Sequence, residues 1–220
     1  MEAQNTCTQA KVKIIQSHYD YHAILKVIIA KGKEMFGPRF QVDDIDRPVI
    51  MKLIAYFLQD ENVATAQKID LYKGLIIMGP IGCGKTAIMR ILKTLLRPHH
   101  QYSIQSCYNI SLNFLEDGSS VIERYTSSSF DPYTTRPRIC CFDDLGSEPD
   151  VNYWGNIRNV MAEILLRRYD LFMEYHMLTY MTTNLSSAKL EERYGDRLRS
   201  RTRQMCQVIA FSGESKDKRI

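Results

Sequence analysis

Short apolar runs alternate with helical patterns along most of the chain. Five runs have the length of buried strands: 74–78, 102–107, 138–142, 176–183 and 206–211. Between them, apolar residues recur every three or four positions, which predicts helices over about 86–96, 109–125 (with a break near 117–120) and 156–173. Strands that alternate with helices predict an α/β fold of three layers, with a mainly parallel five-stranded sheet covered by helices on both faces.

The first 70 residues have a different pattern, which predicts a small helical region. Apolar residues at helical spacing predict one helix from about Ser17 to Phe36 and a second from Asp46 to about Gln59, whose nearly all-apolar sequence indicates burial. The polar segment "DENVATAQKID" (60–70) is predicted to be a connector. The chain is therefore divided into a helical amino-terminal region for partner contacts or packing on the core (1–69), a core (70–212) and a polar basic tail (213–220).

The composition is that of an ordinary globular protein, with 45% hydrophobic and 25% charged residues among 220. No apolar stretch approaches the roughly 20 residues of a membrane helix. The beginning "MEAQNTCTQAKVKII" lacks the order of a signal peptide, so we expect a cytoplasmic protein with no membrane contact. The six cysteines form no CxxC pair, which indicates reduced thiols. Basic residues exceed acidic ones by a net charge of +4, which slightly favours a polyanionic partner.

The sequence "GPIGCGKT" (79–86) between the first predicted strand and a helix predicts a phosphate-binding loop. Gly82 and Gly84 permit tight turns that direct backbone N–H groups at phosphate oxygens. Lys85 is expected to reach the β- and γ-phosphates, and the Thr86 hydroxyl to bind Mg²⁺. The residues predicted to contact the nucleotide are Gly79, Pro80, Ile81, Gly82, Cys83, Gly84, Lys85, Thr86 and Ala87.

Two acidic residues follow the apolar strand "RICCF" directly. An acid at this position of a nucleotide-binding sheet orients Mg²⁺, so Asp143 is predicted as a metal ligand together with Thr86. Asp144 is predicted to polarise the attacking water, and Glu148 is a second candidate for that role. Further along, "TTN" ends the fourth predicted strand, where Asn184 is predicted either to hold the water or to cap the next helix.

Five arginines lie within "RYGDRLRSRTRQ" (193–204), which spans two short predicted helices separated by Gly195. Asp196 suits the first turn of the second helix, which places Arg197 at a helix start. The remaining arginines are expected to pair at an interface, contact DNA or form a solvated face.

The series "GPIGCGKT", "ICCFDD", "MTTN" and "RYGDRLRSR", in this order, resembles the AAA+ ATPases. Within them it is most similar to the DnaC/IstB group of helicase loaders and transposition-helper ATPases, over about 70–212. The resemblance implies ATP and Mg²⁺ as ligands, the sensor-1 role for Asn184, and entry of Arg197 into a neighbouring subunit's site. It also implies a homo-oligomer when ATP is bound, DNA as a partner, and a helicase or transposase as protein partner.

The chain departs from a full AAA+ protein because it runs only to Ile220 after Arg197, too short for the usual helical lid. The DnaC/IstB group shares this truncation, so we expect nucleotide closure to depend on neighbouring subunits more than on a built-in lid. A GTPase would need an N-K-x-D element, which the sequence lacks. Two alternatives stay open: a small-molecule P-loop kinase, and an ATP-binding assembly module with little hydrolysis.

Overall fold

A five-stranded parallel sheet forms the centre of the structure. The computed structural model describes residues 18–97 and 100–218. The strands of this part are β1 (Gly74–Met78), β2 (Ser103–Ser106), β3 (Cys140–Asp143), β4 (Val151–Tyr153), β5 (Asn156–Arg158), β6 (Thr179–Thr183) and β7 (Cys206–Ala210). The main sheet has the order β2-β3-β6-β1-β7, and all its neighbouring pairs are parallel. The predicted fold class is confirmed.

Helices cover both faces of this sheet. They are α1 (Tyr21–Phe36), α2 (Arg47–Leu58), α3 (Glu61–Ala66), α4 (Lys85–Leu95), α5 (Cys107–Asp117), α6 (Ser119–Tyr125), α7 (Val160–Tyr175) and α8 (Ser187–Met205). All residues of β1 and β6 are buried, as expected for central parallel strands. Several helices begin at polar caps: Asp20 accepts backbone hydrogen bonds at the start of α1, and Asn159 does so for α7.

Helices α1 and α2 pack on the sheet and share its core. Ile28 of α1 and Leu53 of α2 belong to the same hydrophobic cluster as Leu75 of β1. A close approach at Gly32 brings the loop after α1 against that helix, since a Cβ there would lie only 2.2 Å from the Phe40 ring. The amino-terminal helices therefore fix the loop 37–46 beside the carboxyl ends of the strands.

Two sequence predictions are wrong. The segment predicted as a polar connector contains the six-residue helix α3, whose first turn is capped by Asp60. The residues 156–158, predicted as the start of a helix, instead form β5, which pairs antiparallel with β4. Trp154 and Gly155 both have positive φ (53° and 77°), the conformation that a two-residue hairpin turn requires. The helix α7 therefore begins at Val160.

Some predictions fall on residues outside the described part of the chain: the cysteine Cys7, the helix start at Ser17, and the last two residues of the tail. The five described cysteines are all buried and free of disulfides. In residues 18–97 and 100–218, no helix has the length and apolar character needed to cross a bilayer.

Candidate functional site

A cavity of about 1200 Å³ opens where β1, β3 and β6 end. It exceeds the roughly 300–1,000 Å³ typical of small-molecule sites, so it has room for a large ligand. The loop after β1, the acids after β3 and the amide after β6 all line it. This is the edge of an open parallel sheet at which α/β proteins bind their ligands.

The loop between β1 and α4 has the backbone conformation that its glycines permit. Gly82 and Gly84 have φ of +78° and +100°, which side-chain-bearing residues rarely adopt. Lys85 opens α4, and its Nζ donates to the carbonyl oxygens of Gly79 (2.9 Å) and Pro80 (2.8 Å). The helix N-terminus, with its partial positive charge, therefore faces the cavity.

The residues predicted to contact the nucleotide fall into two groups. Five of them line the cavity: Gly82, Gly84, Lys85, Thr86 and Ala87. Gly79 and Pro80 contribute the carbonyl oxygens that hold Lys85, and the Ile81 side chain is 61% exposed. Cys83 is completely buried beneath the loop, and burial raises the pKa of its thiol. The thiol is therefore protonated and inert near neutral pH.

Oxygen atoms suited to Mg²⁺ meet at the edge of the cavity. The Thr86 hydroxyl donates to Asp143 Oδ1 at 2.8 Å, and the Thr182 hydroxyl donates to the same oxygen at 2.7 Å. Within the described residues, no group of three or more His, Cys, Asp and Glu side chains forms a metal site. Mg²⁺ usually takes only one or two protein ligands beside phosphate and water oxygens, so Thr86 and Asp143 fit it.

Thr182 also fixes the turn that carries the second acid. Its hydroxyl oxygen accepts a hydrogen bond from the backbone N–H of Asp144 at 2.9 Å. Asp144 has φ of 56°, lines the cavity, and follows Asp143 at the end of β3. The sequence showed the pair "TT" at this strand end, but only the pairing of β3 with β6 reveals that Thr182 contacts both acidic residues.

Asn184 lies at the end of β6 and completes the inner part of the site. Its Oδ1 accepts a hydrogen bond from Lys85 Nζ at 2.6 Å. The alternative cap role falls to Ser186, whose side chain accepts from the backbone N–H of Lys189 at the start of α8. Asn184 is therefore available to the site.

Glu148 lies apart from the cavity lining, in a buried polar cluster. Its side chain is nearly inaccessible, and Oε2 accepts from the backbone N–H of Gly146 at 2.8 Å. Oε1 accepts from the Tyr194 hydroxyl and lies 3.5 Å from Arg193 Nε. The burial of Glu148 and these three partners favour Asp144 as the carboxylate for water activation.

Arg197 is exposed on α8, just after the helix is interrupted at Gly195 (φ 79°, ψ 166°). Three neighbouring arginines have acidic partners in the same chain: Arg193 with Glu148, Arg199 with Glu191, and Arg201 with Asp170. Arg197 has no such partner in the described part of the chain, and it does not line the cavity of its own chain. Its guanidinium is therefore available to another molecule.

Two segments remote in sequence also line the cavity, and no sequence motif indicated either. The first comprises Phe36 at the end of α1 and Arg39, Phe40, Gln41, Asp43 and Ile45 of the loop that follows, and the second comprises Glu214, Lys216, Asp217 and Lys218 at the end of the described chain. Their contribution depends on long-range packing and has no local signal in the sequence.

The fold and the site together define a P-loop NTPase, since the phosphate loop lies between a central parallel strand and its helix, opposite an acidic strand end. The structure of the DnaC helicase loader is similar at a TM-score of 0.54 and 19% identity, over 80% of this chain and 95% of that one. A protein proposed to be a primosome component of Streptococcus pyogenes serotype M3 has a TM-score of 0.54 at 17% identity, over 79% and 85% of the two chains. The fold is thus that of the AAA+ ATPases of the DnaC type, which confirms the resemblance at the level of the fold.

No family profile matches the chain. An uncharacterised protein of Schizosaccharomyces pombe (strain 972) is 25% identical over 137 residues, which are 54% of this chain and 26% of that protein. The chain therefore corresponds to about a quarter of that relative's length.

Proposed function

We propose that the protein binds and hydrolyses ATP with Mg²⁺ and acts as an oligomeric switch on DNA. The observation that carries the proposal is the meeting of three strand ends in one cavity. Lys85 is bonded to Asn184 at 2.6 Å, and Thr86 to Asp143 at 2.8 Å. This joins the phosphate loop, the acidic strand and the polar amide in the arrangement that phosphoryl-transfer chemistry requires.

Each residue has a role that follows from its position. The loop amides and Lys85 bind the phosphates, and Thr86 with Asp143 holds the metal ion, which when bound neutralises phosphate charge. Asp144 accepts the proton of the attacking water, and Asn184 orients that water beside the terminal phosphate. Thr182 is a positioning residue, because its hydroxyl fixes both acids.

Arg197 acts on the ATP of a neighbouring protomer. It is exposed and has no acidic partner within the described residues, so no internal ion pair must break before it enters another site. Arginines in this role accelerate phosphoryl transfer by about 10³–10⁵, because they stabilise charge in the transition state. Hydrolysis then removes the phosphate that Arg197 contacts, which loosens the contact between subunits.

The cargo is DNA together with a protein partner, either a replicative helicase or a transposase. The structural similarity to the DnaC helicase loader supports the first partner. The exposed Arg203 supports DNA contact. Phosphate contacts predict that affinity for single-stranded DNA falls as salt rises, which anisotropy titrations at two salt concentrations would measure.

A steady-state ATPase assay with Mg²⁺ tests the core of the proposal. Lys85→Ala is expected to abolish hydrolysis, while Lys189→Ala, which removes an exposed lysine on α8, is expected to leave it unchanged. The assay is run with and without DNA, and basal hydrolysis is expected to be slow and stimulated by DNA. Transfer of the phosphate to a small metabolite would instead identify a kinase. Nucleotide-dependent assembly with no hydrolysis would identify an assembly module.

A further inference from the structure

The last described residues of the chain, 212–218, return across the nucleotide cavity and are anchored beside it. The Ser215 hydroxyl donates to Asp46 Oδ1 at 2.6 Å, and Lys218 Nζ is bonded to Oδ2 of the same carboxylate. Lys218 Nζ also lies 3.8 Å from Asp43 Oδ2. We call residues 212–218 the carboxy-terminal strap, and it joins the loop before α2 to the far end of the chain.

The anchor Asp46 is committed to the strap. It precedes α2 as its N-cap residue, yet its side chain makes no capping hydrogen bond. The residue is fully buried, and both carboxylate oxygens are bonded to strap side chains. A buried carboxylate without partners is costly, so attachment of the strap and burial of this charge are linked.

The strap also contacts the phosphate loop directly. The backbone N–H of Lys218 donates to the Gly82 carbonyl at 3.1 Å. The Asp217 carboxylate lies so close to Gly82 that a Cβ there would be 2.0 Å from Oδ1. Gly82 is therefore needed twice, for its positive φ and for the approach of the strap. Any movement of the strap must change the surroundings of the loop that binds phosphate.

One cation of the strap has no acidic partner among the described residues and is accessible to a ligand. Lys216 lines the cavity and is exposed, and its side chain has no ion pair or hydrogen bond with any described residue. Lys218, in contrast, is held by Asp43 and Asp46. An ammonium group is a compact charge that binds phosphate oxygens strongly, and Lys216 lies in the same cavity as the phosphate-loop Lys85.

We propose that the carboxy-terminal strap is a wall of the nucleotide site supplied by the same chain, in which Lys216 binds a phosphate oxygen of the nucleotide and the Asp46–Lys218 pair positions it. The inference rests on the proposed binding of ATP. It modifies the expectation that closure depends on neighbouring subunits more than on a built-in lid, because part of the closure is built into each chain.

The affinity for ATP with Mg²⁺ tests the role of Lys216, measured on the full chain by displacement of a fluorescent ATP analogue. Lys216→Gln is expected to raise the Kd about tenfold, the effect of losing one charge-assisted phosphate contact. Lys189→Gln is the matched control and is expected to keep the wild-type Kd. If Lys216→Gln also keeps it, while Lys85→Ala loses binding, the inference is wrong and the proposed function stands. A wild-type protein that binds no ATP would overturn both.

Hydrogen exchange tests the positioning role without depending on the affinity of any variant. Saturating ATP with Mg²⁺ is expected to slow amide exchange in 212–218 of the wild-type protein, because the nucleotide adds contacts to the strap. Lys218→Gln is expected to lose this protection, and Lys218→Arg, which keeps the ion pair with Asp46, to retain it. Faster exchange with ATP would show that the nucleotide displaces the strap, which contradicts the inference.

Discussion

A substitution at the buried Arg168 tests how the sheet is held in register. It lies on α7, is fully buried, and burial lowers the pKa of its guanidinium. It donates to Thr179 Oγ1 and to the carbonyl oxygens of Leu178 and Tyr125, each at 2.8 Å, and to that of Arg138 at 3.3 Å. None of these partners is a carboxylate. Arg168 therefore ties the beginning of β6 to the end of α6 and to the segment that precedes β3.

Replacing Arg168 by methionine keeps an unbranched apolar side chain and removes every donor. Each hydrogen bond from a charged donor contributes on the order of 1.5–3 kcal/mol, and four are lost. The burial of an unpaired cation costs several kcal/mol, and this cost disappears with the charge. The lost hydrogen bonds outweigh the burial cost that disappears, so the free energy of unfolding is expected to fall by about 3 kcal/mol. This is a large share of the roughly 5–15 kcal/mol of a typical domain.

Urea unfolding followed by far-ultraviolet circular dichroism measures this loss. The matched control is Arg167→Met, since Arg167 is the exposed neighbour on the same helix. The control is expected to change the free energy of unfolding by less than about 0.5 kcal/mol. If Arg168→Met costs no more than the control, the hydrogen bonds of Arg168 do not stabilise the sheet and the reasoning fails.

Three further predictions concern the acids and the thiols. Asp144→Asn should lower kcat by at least about 100-fold with little change in the Kd for ATP; equal loss of binding would contradict its role. Glu148→Gln should mainly lower stability, because Glu148 is buried among hydrogen-bond partners. A loss of kcat as large as that of Asp144→Asn would show that Glu148 takes part in catalysis. Stability should fall above pH 9, because burial raises the pKa of the Cys206 thiol from 9.0 to about 12. The contribution of Cys206 to stability is complete below pH 9. It is lost by about 1.4 kcal/mol per pH unit as the pH rises toward 12, because the thiol of the unfolded chain releases its proton at a lower pH than the buried thiol. Urea unfolding of Cys206→Ala between pH 8 and 10 should show a shallower decline than the wild type, and an equal decline would refute this assignment.

Local patterns predicted the parts of the site that depend on local structure. The glycine spacing of the phosphate loop works through backbone conformation, and Gly82 and Gly84 adopt the positive φ expected of them. The alternation of strands and helices predicted the sheet, because burial on both faces leaves continuous apolar runs. The carboxyl ends of parallel strands meet at one edge, so the neighbours Asp143 and Asn184 followed from the strand assignment.

What the sequence did not predict depends on contacts between distant segments. The sequence around Glu148 is equally polar whether its side chain faces a nucleotide or the half-buried Tyr194. The hairpin turn at Trp154 and Gly155 places residues 156–158 in a strand, although the apolar spacing of this segment also suits a helix. The attachment of Lys218 to Asp46 joins residues 172 positions apart, and neither residue carries a motif. Such contacts become visible only when the fold brings the segments together.

Complementation between two inactive variants shows whether the ATPase site is shared between protomers. Lys85→Ala should fail to bind ATP, and Arg197→Ala should bind it without hydrolysis. When the two are mixed in equal amounts, random head-to-tail pairing places an intact Arg197 against an intact Lys85 at about a quarter of the interfaces. The mixture is expected to regain about that share of the wild-type ATPase rate. A mixture that stays inactive, or an Arg197→Ala protein that hydrolyses ATP at the wild-type rate, would contradict a shared site.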